Sequence, residues 1–98
     1  MTITKKQNGA ALCVALEGRL DTITAPELDS ELKASLDQIT DLTLDFTKLD
    51  YISSAGLRVL LSTQKVMSRV GSMKITGVNE TVREVFEVTG FADILTIV

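Results

Sequence analysis

A serine hydroxyl at the start of a helix is the chemistry this chain displays most clearly. The stretch Leu44-Asp-Phe-Thr-Lys-Leu-Asp-Tyr-Ile-Ser53-Ser54-Ala-Gly-Leu57 carries an alternating strand (Leu44, Phe46) into a turn. Ser53 and Ser54 then stand where an amphipathic helix begins. Free backbone N–H groups and the positive end of the helix dipole meet there and favour an added anion. A hydroxyl so placed suits reversible phosphorylation. Serine is also among the best helix N-caps, and a strand-to-helix turn can use it for that alone.

Other reaction chemistries find little support. The chain has no histidine, which removes Ser-His and Cys-His catalysis and, with a single cysteine, argues against a zinc site. Residues 52–56 read Ile-Ser-Ser-Ala-Gly, without the first glycine of a nucleophile elbow. No GxxxxGK[ST] or GxGxxG stretch offers a phosphate cradle. Asp21, Asp45 and Asp50 fall where they could meet at one end of a sheet. Paired carboxylates do acid–base work or bind Mg²⁺, although carboxylates beside turns usually cap or stay solvated. The balance describes a protein that is acted upon rather than an enzyme, with no cofactor.

The elements that must position the serines follow from hydrophobic period and turn residues. Thr2 to Lys6 reads as an edge strand, Asn8-Gly9 as a hairpin turn, and Ala11 to Glu17 as a second strand. The second strand is apolar on both faces and so belongs in the sheet interior. Cys13 lies within it and reads as a small buried hydrophobe, since no Lys, Arg or His stands near it in sequence to activate a thiol. Gly18-Arg-Leu-Asp21 leads out of the sheet. Thr24 can then cap a helix, with Pro26 in its first turn and Glu27 as a capping-box partner. Leu28, Leu32, Leu36 and Ile39 continue as its apolar stripe.

Leu42, Leu44 and Phe46 alternate with polar residues as a strand. The helix beginning near Ser54 carries Leu57, Leu60, Leu61, Gln64 and Met67 and stops at Val70-Gly71. Ser72 to Thr76 is a strand, and Asn79 caps a third helix that turns Val82, Val85 and Phe86 inward. Thr89-Gly90 breaks that helix, and Ile94 to Val98 is a last short strand or an extended tail. The order β-β-α-β-α-β-α, with a possible final β, predicts an α/β fold. Its sheet is mixed and mostly parallel, with helices mainly on one face.

Composition sets the class. With 98 residues, 45% of them hydrophobic and 23% charged, the chain can build one core without disulfides or metal. The net charge of −3 and scarce aromatics argue against nucleic acid. The N-terminal Met-Thr-Ile-Thr-Lys-Lys has no signal-peptide core, and no apolar run approaches the roughly 20 residues that span a bilayer. A cytoplasmic protein without membrane insertion is expected.

Four segments together resemble the STAS domain family, the fold of bacterial anti-sigma factor antagonists. Asp50-Tyr-Ile-Ser-Ser-Ala-Gly-Leu57 resembles its signature. Gly18-Arg-Leu-Asp21 is similar to its Gly-Glu-Leu-Asp turn, with Arg19 in place of the usual acid. Val78-Asn-Glu-Thr-Val-Arg-Glu-Val-Phe86 resembles its penultimate segment, and Val88-Thr-Gly-Phe-Ala-Asp-Ile94 its closing turn. The resemblance covers essentially the whole chain and implies a single STAS domain over residues 1–98, a monomer or weak dimer.

The resemblance also implies a partner switch. In this family the antagonist binds an anti-sigma factor that is also an ATP-dependent serine kinase, and so releases the sigma factor. Phosphorylation inactivates it, and a PP2C-type phosphatase resets the cycle. Transferred by position, the phosphoacceptor is Ser54. Asp21, Thr22, Thr24, Ser53, Ala55, Gly56 and Leu57 form the partner-binding surface. The family pattern reads Asp-Ser-Ser-Gly or Asp-Ser-Thr-Gly, and here Ser53 replaces the aspartate and becomes a second candidate acceptor. Ile52 and Leu57 read either as apolar contacts or as core closure under the turn. The alternative to a switch is an adaptor subunit of an ABC-type lipid transport ATPase or of a signalling scaffold.

Overall fold

The computed structural model describes residues 1–98. Strand β1 (Thr2–Asn8) turns into β2 (Ala11–Leu20), and helix α1 (Ala25–Ser35) leads to β3 (Asp41–Ile52). Helix α2 (Ser54–Val70), β4 (Ser72–Thr76) and α3 (Glu80–Thr89) follow, and a short 3-10 turn occupies Phe91–Asp93. The sheet order is β1-β2-β3-β4, with β1 antiparallel to β2 and the other two pairs parallel. This is the expected mixed, mostly parallel α/β fold.

The hairpin closes on the pair Asn8↔Ala11, so its two turn residues are Gly9 and Ala10. Gly9 takes the left-handed backbone as the first turn residue, so the turn lies one position later than Asn8-Gly9 alone suggested. The possible final strand is reduced to one parallel bridge, Ile97 against Ile75. There Ile75 N–H donates to the Thr96 carbonyl and Val98 N–H to the Ile75 carbonyl, at 2.8 and 2.9 Å.

All three helices cover one sheet face. Leu12, Val14, Leu16, Leu42, Leu44, Phe46, Met73 and Ile75 from the strands join Leu28, Leu32, Leu60, Met67, Val82 and Phe86 from the helices in one core. The opposite face is open. Cys13 and Ala15 point to it half-buried, so the second face of β2 is not interior, and Cys13 is not a core residue. In the β1–β2 register Lys6 stands opposite Cys13, a neighbour that sequence distance concealed.

Strand β3 runs further than its alternation suggested. Its buried residues are Leu42, Leu44 and Phe46, then Leu49 and Ile52, a switch from period two to period three. The pairing explains it. Against β2, the partners step from Ala15↔Asp45 to Glu17↔Lys48 and from Gly18↔Leu49 to Arg19↔Tyr51, so β3 carries an extra residue at each step. These bulges turn Leu49 and Ile52 inward and keep the strand paired to its end. Asp50-Tyr-Ile therefore belongs to β3, not to a turn. Likewise Gly18-Arg-Leu20 stays in β2 rather than leading out of the sheet.

Helix α1 ends at Ser35 with Leu36 as its C-cap, so Ile39 reaches the core from the following connection. Helix α3 is capped as expected: Asn79 Oδ1 accepts from Val82 N–H at 2.8 Å. Asn79 Nδ2 also donates to the Leu49 carbonyl at 2.8 Å, which ties α3 to the bulged part of β3.

Candidate functional site

Strands β2 and β3 end side by side on the pair Leu20↔Ile52, and the candidate site forms where the chain leaves them. Ser53 N–H donates to the Leu20 carbonyl at 2.9 Å, the last hydrogen bond before α2 begins. Ser53 is the extended N-cap residue (φ −100°, ψ 175°), yet its side chain makes no cap bond. Its Oγ is sealed from solvent without a hydrogen-bond partner. The next residue, Ser54, is exposed. The first-turn amides of a helix have no intrahelical acceptor, and here neither a capping side chain nor an acidic residue answers them. The start of α2 is a positive helix end with one accessible hydroxyl on it.

Beneath the serines, the helix sits close to the sheet because Gly56 has no side chain. A Cβ there would stand 2.7 Å from Leu20 Cγ and 2.9 Å from Ile52 Cγ1. Gly56→Ala is therefore expected to lower stability by about 1–3 kcal/mol in urea denaturation, as overpacking does. Unchanged stability would contradict this close seating of α2. Leu57 is only 5% exposed and Ile52 only 1%, so both close the core. The contact assigned to Leu57 by the resemblance has no side-chain surface, and the core-closure reading holds for both residues.

The turn after β2 is built around Asp21. Its Oδ1 accepts from Ile23 N–H (3.0 Å) and Thr24 N–H (3.1 Å). Thr24 Oγ1 accepts from Asp21 N–H at 2.9 Å and donates to the Arg19 carbonyl at 2.8 Å. Thr24 thus makes no cap bond to α1 and no capping box with Glu27, because its hydroxyl is already used in the turn. Pro26 sits in the first turn as expected. Arg19 stacks over the Tyr51 ring at 4.4 Å and places Nε 3.8 Å from Asp21 Oδ2.

The hydrogen bond from the Thr24 amide, helped by the Ile23 amide, the Thr24 hydroxyl and the Arg19 charge, holds the Asp21 carboxyl below its ordinary value of 3.8. The folded state thus prefers the ionised form. The turn keeps that contribution above the ordinary value and loses it as pH falls through the lowered one. In an NMR titration the Ile23 and Thr24 amide shifts are expected to move together, with a midpoint below 3.8. A midpoint above 3.8 would contradict the network.

The structure brings Ser53, Ser54, Ala55 and Gly56 together with the turn from Asp21 to Thr24. It does not gather Asp21, Asp45 and Asp50. Asp45 lies in mid-β3 opposite Ala15 and binds Thr47 through its N–H and hydroxyl, which lowers its pKa. No cluster of three or more Cys, Asp or Glu side chains stands within metal-binding reach. No helix is long and apolar enough to cross a membrane. Ile23, inside the Thr22 to Thr24 loop but not itself named among the expected site residues, is 86% exposed at the tip of the turn. Its only sequence signal is an aliphatic residue between two threonines.

Comparison with known proteins agrees with this fold. The model of the STAS domain matches residues 2–98. BtrV of Bordetella bronchiseptica, whose name assigns it provisionally to the anti-sigma factor antagonists, is 38% identical over 96 residues, spanning 96% of this chain and 83% of its own length. The anti-sigma-B factor antagonist of Bacillus subtilis is 31% identical over 98 residues, spanning 99% of this chain and 90% of its own length. Among solved structures, the Bacillus cell fate determinant SpoIIAA in its phosphorylated form superposes with a TM-score of 0.76 at 18% identity, over 99% of this chain and 91% of that one. At that identity the likeness is one of fold.

Proposed function

The chain belongs to the STAS domain family, and on that premise we propose that it is an anti-sigma factor antagonist that works by partner switching in the cytoplasm. Its unphosphorylated surface at the start of α2 binds an anti-sigma factor that is also an ATP-dependent serine kinase, and the bound sigma factor is released. Phosphorylation of Ser54 ends that binding, and a PP2C-type phosphatase restores it. The names of BtrV and of the Bacillus subtilis relative support this reading. The observation that carries it is the pair of hydroxyls: Ser54 is exposed at an uncapped helix end, while Ser53 Oγ is buried.

On this reading the chain contributes a positioned nucleophile and no catalytic group. A serine hydroxyl is a poor nucleophile, so base, Mg²⁺ and ATP come from the kinase. The added phosphate brings about −1.5 to −2 charge at neutral pH. The dipole of α2 tolerates it within this domain. A close-packed partner does not, because a dianion inserted into that contact clashes with it and is repelled by any carboxylate the partner presents there. Asp21, Thr22 and Ala55 complete the binding surface. Thr24, Ser53, Gly56 and Leu57 shape it from behind.

The proposal is tested by adding the purified protein to a preformed complex of the anti-sigma factor kinase and its sigma factor. Release of sigma by wild type, and none by protein fully phosphorylated beforehand, is the expected result. Equal release by both forms, or by neither, would contradict the switch. Release by neither would favour the adaptor reading.

A further inference from the structure

We propose that Ile23 is the apolar anchor by which the kinase partner holds this chain, on a turn that Asp21 keeps ordered. The inference rests on the switch proposed above and names the surface that would give it specificity. Ile23 is 86% exposed. A lone exposed aliphatic residue is ordinary on a protein surface. This one differs in how it is held and where it stands. The Ile23 and Thr24 amides both donate to Asp21 Oδ1, Thr24 Oγ1 is bonded at both ends, and Ala25 N–H donates to the Asp21 carbonyl at 2.8 Å. The turn is thus ordered before any partner arrives, so little freedom is lost when Ile23 is gripped.

Position gives the second argument. The turn starts one residue after Leu20, whose carbonyl accepts the Ser53 N–H, so Ile23 and Ser54 leave the same sheet end on neighbouring strands. Polar residues flank the anchor along the turn, Thr22 and Thr24, and Arg19, laid over Tyr51, stands 3.8 Å from the Asp21 carboxylate that holds the turn. An apolar contact with a polar border is the common anatomy of a reversible protein interface. The partner this fits is a protein whose phosphoryl-transfer cleft is flanked by an apolar pocket.

The test is steady-state phosphorylation of the chain by its kinase, comparing wild type with Ile23→Ala, Ile23→Leu and Val88→Ala. Val88 is 80% exposed on α3, outside the turn, and controls for exposure alone. Ile23→Ala is expected to raise KM by about tenfold to a hundredfold, the worth of one buried aliphatic side chain, with kcat unchanged. Ile23→Leu should recover most of the loss, Val88→Ala should have no effect, and all three should keep the wild-type Tm. Wild-type KM in Ile23→Ala, or an equal rise in Val88→Ala, would overturn the anchor while leaving the switch intact. Wild type that neither binds nor accepts phosphate from an active kinase would overturn both.

Discussion

Phosphorylated at Ser54, the protein is expected to lose affinity for its kinase by about thirtyfold or more, from a like-charge and steric cost of a few kcal/mol at the contact. Its own fold should be unharmed. The phosphate sits on the first residue of a 17-residue helix whose N-cap side chain makes no bond and whose first turn has no acid. An anion at such a position stabilises by about 0.3–1 kcal/mol. For a domain of this size that raises Tm by about 1–8 °C. Titration calorimetry and differential scanning calorimetry on the two forms read both quantities. A marked fall in Tm would show that the phosphate disrupts the domain itself. Unchanged affinity would remove the switch.

Phe46→Ala should cost about 3–5 kcal/mol, a large part of the about 5–15 kcal/mol that holds a domain together. Phe46 and Phe86 are both fully buried, with ring centroids 6.5 Å apart and planes tilted by 33°. Phe46 is also the last buried residue of β3 before its period changes, and its contact with Phe86 seats α3 on the strand that ends at Ile52, next to Ser53. Urea unfolding is the direct reading. A loss below about 1 kcal/mol would mean that a cavity at this site collapses freely, contrary to the packing described. Partner binding should weaken along with stability, unlike the variants at Ile23.

Much of the architecture could be read from the residues. Asn79 and Gly71 mark helix ends where the structure has them, and the three apolar stripes do share one sheet face. The failures have physical causes. Phe46, Leu49 and Ile52 repeat every third residue, a pattern no regular strand produces, and the two added residues in β3 account for it. Thr24 followed by Glu27 has the form of a capping box, but Asp21 competes for the same hydroxyl and wins it through a tighter local turn. Cys13 looked internal because its sequence neighbours are apolar, whereas only the helix-facing side of β2 is covered.

At the site, the positions of Ser53 and Ser54 were legible and the resemblance preferred Ser54, but the difference in burial of the two hydroxyls was not legible. Two adjacent serines carry the same chemistry, and only the backbone of the N-cap decides which hydroxyl is buried. Leu57 is similar. In sequence it is an apolar residue beside a polar loop, and the close approach permitted by Gly56 turns it inward.

The most direct measurement is intact mass and peptide mapping after incubation with ATP and the host's own anti-sigma factor kinase, for wild type, Ser53→Ala and Ser54→Ala. One phosphate on wild type and on Ser53→Ala, and none on Ser54→Ala, is the predicted result. Phosphate lost only in Ser53→Ala would contradict the assignment of the exposed hydroxyl, and an unmodified wild type beside an active kinase would contradict the switch itself.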